Sequence, residues 1–202
     1  DAVPRNRHPS TLAFVDLSSG DPRYAFFNND TSTSNMAPTV AMIEPQSGDI
    51  LDVGSISLND LPGADNITDF AVAMSRQMMI SIDPNARPGM IKDWSAWHKR
   101  MARLLQIASI IKLSFEDLQI IAPHQSAEQF AKQHLEKSAG LVIITDGGEG
   151  ATGYTGVATH KAPTPKIVLS DTVGAGDTLM GTMLAWILDQ GLSDAEALRK
   201  LD

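Results

Sequence analysis

Asp171-Thr172-Val173-Gly174-Ala175-Gly176-Asp177-Thr178 runs directly into the apolar stretch Leu179–Leu188. A glycine-rich turn of this kind aims several backbone N–H groups at one point, and the helix that follows adds partial positive charge there. That combination suits a phosphate. A carboxylate has no place beside it for binding alone, because like charges repel. Asp177 makes chemical sense as a base that takes a proton from a hydroxyl about to attack a phosphoryl group. The plain alternative is an acidic residue that complements the helix dipole. The two flanking glycines and the leading Asp-Thr favour phosphoryl transfer to an alcohol.

A second motif points elsewhere and fails on context. Gly148-Glu149-Gly150-Ala151-Thr152-Gly153 spells G-x-G-x-x-G after an apolar strand, and Asp171 follows at about the distance of a ribose-binding acid. A dinucleotide site needs a helix to open at the third glycine. Here Tyr154–Thr159 is β-prone, and Pro163 and Pro165 forbid a helix directly afterwards. The segment predicts strand, tight turn and strand.

These residues must be positioned by regular elements, and the sequence supplies them. Thr11–Leu17 and Arg23–Asn28 read as two strands around the turn cluster Ser18–Pro22, hence a hairpin. Residues 29–48 are polar and Pro-containing, apart from Val40–Ile43. Strands are expected at Ile50–Ile56, Met78–Ile82, Ile110–Leu113 and Leu141–Thr145. Helices are expected at Asp65–Arg76, Trp94–Ile107, Phe115–Ala122 and Ala127–Ser138, the last two split at Pro123. Strands alternating with helices imply an α/β fold, a right-handed and mostly parallel sheet with helices on both faces. Ligands gather beyond the carboxyl ends of such strands, where Asp83, Ser114, Asp146–Gly150 and the 171–177 loop fall.

Composition narrows the function further. With 202 residues, 43% hydrophobic and 20% charged, the chain can bury a full core. The formal net charge is −8, with no basic cluster denser than Lys99-Arg100 and Arg103, so nucleic acid is a poor partner. No apolar run is long enough to span a bilayer, and no secretory signal opens the chain. The absence of cysteine excludes disulfides and thiolate metal sites and fits a cytoplasmic protein. The five histidines lack metal-ligand spacing. Trp94 and Trp97 read as a packing pair, and the nine methionines as core filler.

Asp171–Asp177 resembles the C-terminal signature of the ribokinase-like (PfkB) carbohydrate kinases. Leu12–Phe27, Gly54–Leu58, Asp83–Pro88, Lys112–Asp117 and Thr145–Ala151 fall in that family's order, so the resemblance covers essentially the whole chain. It implies a ribokinase-like fold, with residues 8–30 as part of a small β lid over the sugar and residues 40–202 as the α/β nucleotide-binding and catalytic domain. It implies Asp177 as catalytic base, with the N–H groups of Gly174, Ala175 and Gly176 steadying charge on the transferring phosphoryl group. Gly147 and Gly150 let the backbone pass close to the adenine nucleotide, with Thr145 before them. Lys112, Ser114 and Asp117 face the phosphates, and the Asp117 carboxylate helps to order Mg2+. Asp171 lies where some members bind K+. ATP and a sugar are the implied partners, with homodimerisation through the lid.

Gly54–Leu58 and Asp83-Pro84-Asn85-Ala86-Arg87-Pro88 resemble fructokinases and 2-keto-3-deoxygluconate kinases most, which implies substrate contacts from Asn85 and Arg87. In the lid, Phe26-Phe27-Asn28 places Asn28 where these kinases often carry Arg, with Phe27 as the aromatic neighbour. Without that cation a neutral sugar is favoured over an acidic one. The expected activity is therefore an ATP-dependent fructokinase. The competing class, a non-catalytic nucleotide- or sugar-binding protein of the same fold, has no need of Asp177 beside an anion hole. Asp1 in place of methionine and a helical-looking end at Asp202 predict a piece of a longer polypeptide, with roughly 100 further residues that include an upstream sugar-binding segment.

Overall fold

Period-two alternation explains how the central strands divide their side chains between two helical layers. In this computed structural model, which describes residues 4–16, 18, 23–166 and 172–202, four strands lie parallel: β3 (Ile50–Gly54), β4 (Met79–Asp83), β5 (Ile110–Ser114) and β6 (Leu141–Thr145). β7 (Ala151–Tyr154) and β8 (Thr159–Ala162) add on antiparallel, giving the order β3-β4-β5-β6-β7-β8. Ile80, Ile82, Ile111, Leu113, Val142 and Ile144 pack on one face with α1 (Gly63–Met74), α2 (Trp94–Leu105), α3 (Phe115–Ile121) and α4 (Ala127–Leu135). Met79, Ile110 and Leu141 pack on the other with α5 (Ala175–Asp189) and α6 (Ala195–Arg199). Both faces of the parallel strands are covered, which is why those strands read as unbroken apolar runs.

The consequence for chemistry lies in the polar residues of the second face. Asp52, Ser81, Asp83, Lys112 and Ser114 share the parity of Ile50, Met79 and Ile110; Asp83 and Ser114 end their strands, and the other three stand mid-strand. They therefore face the layer that contains α5. The Ser81 hydroxyl lies 3.7 Å from Met180 Sδ, one turn into that helix.

The helices begin where their caps dictate. Asp93 accepts from the Ala96 N–H to open α2, whose Trp97, Met101 and Leu104 turn inward. Trp94 and Trp97 meet edge-on at 5.7 Å as a packing pair. Ser126 and Gln129 form a capping box on α4. The β7–β8 hairpin replaces the helix that a dinucleotide-binding motif would need. One expected strand is shorter than Ile50–Ile56. Ser55 takes φ 57°, which ends extension, and Ser55–Leu58 winds into a 3-10 turn.

β1 (Leu12–Asp16) and β2 (Arg23–Phe27) form a separate two-stranded antiparallel sheet. Asn28, next after β2, donates to Asp60 of the body at 2.7 Å. Among the described residues, no helix is long and apolar enough to cross a membrane.

Candidate active site

Gly174 starts the site. It adopts φ 77°, a left-handed conformation that glycine reaches without the Cβ clash, and it caps α5 with no side chain. The first turn of α5 is thus left open at its positive end, with Asp177 in that turn and exposed to solvent. One of the three amides expected in the anion hole is already engaged: the Ala175 N–H donates to the Thr172 carbonyl at 3.2 Å.

Beneath this turn lies a buried ion pair. Lys112 Nζ, from β5, donates to Asp83 Oδ2, from the end of β4, at 2.7 Å. A Cβ added to Gly176 would sit 3.1 Å from Lys112 Nζ, so the ammonium rests against the glycine backbone. Burial pushes the Asp83 carboxyl above its usual range, Lys112 opposes that rise by hydrogen bond and charge, and Asp117 and Asp52 add to it. Asp52 is open to the groove on one side, yet desolvation by the wall behind it raises its pKa too; Ser81 and Lys112 oppose, and Asp177 adds repulsion.

Ser114 and Asp117 interlock. The Asp117 N–H donates to Ser114 Oγ at 3.0 Å, while Asp117 Oδ2 accepts from the Ser114 N–H and hydroxyl at 3.1 and 2.9 Å. Asp117 Oδ1 accepts from the Ala86 N–H at 2.8 Å. This carboxylate therefore caps α3 and pins the loop after β4. The neighbouring Glu116 stays exposed. Among the described residues, no three His, Asp or Glu side chains cluster as a metal site. Asp171 lies outside the described residues.

Two clefts meet at Asp177 and Asn85. One, of about 500 Å³, is lined by Lys112, Ser114, Glu116, Asp117, Thr145, Gly147, Gly174, Gly176 and Arg87. The other, of about 490 Å³, runs along β3 past Asp52, Ser55, Ser57 and Asp83 to Met180 and Leu184. The fold thus gathers most of the residues named from sequence around one carboxylate. Gly150 stands apart: its φ of 100° closes the turn between β6 and β7 behind Gly147.

Asn28, expected in the lid, sits in a third hollow, of about 450 Å³, between the hairpin and the body, lined by Phe26, Asn28, Asp60, Arg87 and Lys92. Phe26 shares the parity of Asn28, so it is Phe26 that faces this hollow. Phe27 points to the opposite face, exposed and edge-on to Phe14 at 5.7 Å. Asn28 is buried and its amide is committed: Oδ1 accepts from Thr11 and Thr31, and Nδ2 donates to Asp60. Asp52, Glu116, Asp60 and Phe26 were not singled out from sequence. Strand parity with Ser81 and Lys112 is the signal that marks Asp52; Asp60 and Lys92 carried none.

The fold and the sequence agree on kinship. The chain is 36% identical over 197 residues to a fructokinase of Rhizobium leguminosarum bv. trifolii, covering 96% of this chain and 60% of that protein. It is 28% identical to a probable fructokinase-3 of Arabidopsis thaliana, with 95% and 57% covered. A solved fructokinase of Xylella fastidiosa superposes with TM-score 0.78 at 25% identity, over 95% of this chain and 59% of that one. A Vibrio cholerae O395 fructokinase, solved with fructose, ADP and calcium ion bound, superposes with TM-score 0.77 at 22% identity, over 96% and 65%. The chain spans about 60% of the length of the first of these relatives. The profile described as pfkB family carbohydrate kinase matches residues 2–200, and the chain belongs to that family.

Proposed function

We propose that this chain forms the nucleotide-binding and catalytic part of an ATP-dependent kinase for a neutral sugar, with fructose as the preferred substrate. The single observation that carries the reading is the position of Asp177, in the uncapped first turn of α5 at the junction of two clefts. Such a carboxylate reaches a hydroxyl on one side while the helix N-terminus faces phosphate on the other. The name of the R. leguminosarum relative supports fructose. Asn28, committed to Asp60, stands where the resemblance expects Arg, and this supports a neutral sugar; Lys92 is paired with the same carboxylate at 2.7 Å, and Arg87 also lines the hollow.

In this reading ATP lies in the cleft of Lys112, Ser114, Thr145 and Gly147, and the sugar lies towards Asp52 and Asn85, with Arg87 between the lid and the nucleotide. Asp177 accepts the proton of one sugar hydroxyl. The freed oxygen bonds to the γ-phosphorus, the bond to the β,γ-bridging oxygen breaks, and ADP leaves with that electron pair. The N–H groups of Gly174 and Gly176, that of Ala175 once it leaves the Thr172 carbonyl, and Lys112 offset the charge on the transferring group. An ion such as Mg2+ draws most of its ligands from phosphates and water and needs only one or two protein carboxylates. Glu116 and Asp117 line the cleft and fit that need, Asp117 through water because its oxygens are engaged; the ion would neutralise phosphate charge. We assign residues 8–30 to the lid, residues 40–202 to the catalytic body and Asp171 to a K+ site. The apolar outer hairpin face of Leu12, Phe14 and Phe27 supports pairing of two copies through the lid.

The test is ATP consumption by the intact protein against a panel of sugars that includes fructose, ribose, glucose and 2-keto-3-deoxygluconate. Fructose should give the highest kcat/KM. No ATP consumption with any sugar would overturn the kinase reading, and a preference for the acidic sugar would overturn the substrate.

A further inference from the structure

We propose that Asp83 is a positioning residue that holds the Lys112 ammonium against the Gly174–Gly176 turn, so that a fixed positive charge adjoins the α5 N-terminus. The inference rests on the kinase reading for its consequence and on geometry for its content.

Lys112 stands on the α5-facing side of β5, with Ile110 before it on the same face. A lysine carries its charge on four flexible carbons, so a defined place for Nζ requires a partner. Asp83 supplies it at 2.7 Å, and both side chains are nearly sealed, at 6% and 12% exposure. The partnership is exclusive on the Asp83 side: Oδ1 is buried without a hydrogen-bond partner among the described residues. A carboxylate kept in an apolar layer with one idle oxygen is costly, and a core-building role does not call for it. The other end of the arrangement is equally specific. Gly176 has no Cβ, and one placed there would come within 3.1 Å of Nζ. The same glycine that opens the anion hole therefore makes room for the ammonium.

Asp83 on β4 pairs with this ammonium and Asp52 on β3 feels its charge, while Asp117 on α3, Asp177 on α5 and Arg87 on the loop after β4 line the same cleft. Asp177 must stay near the phosphoryl group as a base, and its negative charge repels that group. A cation held in place offsets this repulsion without having to be recruited at each turnover. Without Asp83, the ammonium loses the partner that fixes its place against the turn, and its four-carbon stem is free to carry the charge elsewhere.

The experiment compares wild type with Asp83→Asn, Asp83→Glu, Lys112→Met and the Asp83→Asn/Lys112→Met double variant in the intact protein, reading the Lys112 ammonium by 15N NMR and ATP binding by calorimetry at about pH 7. In Asp83→Asn the sharp wild-type ammonium signal should broaden or vanish, and ATP affinity should drop about tenfold. Asp83→Glu should restore both. The double variant, which removes both ions, should bind ATP no worse than Lys112→Met alone. An unchanged ammonium signal and ATP affinity in Asp83→Asn, or additive losses in the double variant, would overturn the assignment. Neither readout needs turnover, so a wild-type protein that phosphorylates no sugar would refute the kinase reading and leave this test standing.

Discussion

Asn28 Nδ2 donates to Asp60 Oδ2 at 2.7 Å, and this contact joins the end of the two-stranded sheet to a residue 32 positions further along. Asp60 accepts on its other oxygen from Lys92 at 2.7 Å, and Lys92 also reaches Asn29 Oδ1 at 2.9 Å. The two-stranded sheet is thus joined to the body through a polar knot that engages Lys92, the one lysine lining that hollow among the described residues.

Cutting the knot should cost the lid its position before it costs chemistry. Asn28→Ala removes a donor from a mostly buried carboxylate, an expected loss of about 1–3 kcal/mol in stability. We expect KM for fructose to rise about tenfold while kcat changes little, since uniform binding is what is lost. Steady-state kinetics and thermal unfolding on the same variant check both. In the wild type, fructose should exceed 2-keto-3-deoxygluconate in kcat/KM. Asn28→Arg, which sets a guanidinium beside Asp60, should raise relative use of the acidic sugar only if it leaves the lid folded.

Asp177→Asn tests the base. The amide keeps size and hydrogen bonding in the first turn of α5 but accepts no proton, so kcat should fall by about 10²–10⁴-fold. ATP affinity should stay within a few-fold. An Asn variant with near wild-type kcat would remove Asp177 from the mechanism.

The turn itself is testable at two glycines with different physics. Gly174→Val forces a β-branched residue to φ 77°, at an expected cost of about 1–3 kcal/mol in stability. Gly176→Ala meets no such strain but presses its Cβ to 3.1 Å from Lys112 Nζ. Turnover should suffer more than folding in both, read as kcat against the unfolding midpoint. Full activity in a well-folded Gly174→Val protein would show that these amides do not contact the transferring group.

His134 predicts a pH dependence of stability that is independent of catalysis. It is buried on α4 against Phe130, with ring centroids 4.4 Å apart and Nδ1 lacking a partner among the described residues. Burial first, then Lys137, holds its pKa below the ordinary 6.5, against the opposing pull of the Leu105 backbone. The unfolded chain therefore takes up the proton more readily. The stability His134 contributes is full above about pH 6.5 and is lost as pH falls towards the lowered pKa. Asp83 and Asp52, both raised, act with the opposite sign: their contribution is greatest at low pH and fades as pH climbs above the ordinary carboxylate value. The difference between wild type and His134→Gln isolates the histidine. Calorimetry should show the wild-type unfolding midpoint dropping more steeply between about pH 7.5 and pH 5.5 than that of His134→Gln. Parallel curves would sink the assignment.

Short-range rules account for what the sequence determined by itself. Apolar runs bounded by turn residues placed the four parallel strands. The helices expected from Trp94 and from Ala127 begin there, because the caps Asp93 and Ser126 act within one turn. Pro163 and Pro165 turned the misleading glycine motif into the β7–β8 hairpin, since ring constraints act on adjacent residues. Gly174 and Asp177 declared phosphoryl chemistry because loop, helix start and carboxylate are contiguous.

Only the tertiary structure decided which distant polar residues meet. Asp83 and Lys112 lie 29 positions apart, Asn28 and Asp60 32, and Asp117 and Ala86 31. Those pairs depend on strand order, on register such as Gly54 opposite Asp83, and on which face each crossover helix covers. The same reason explains Phe26 and Phe27. Composition treats them alike, while the pleat of one strand sends Phe26 into the hollow and Phe27 to solvent. A one-residue shift of pairing would exchange their faces, and no local propensity distinguishes the two.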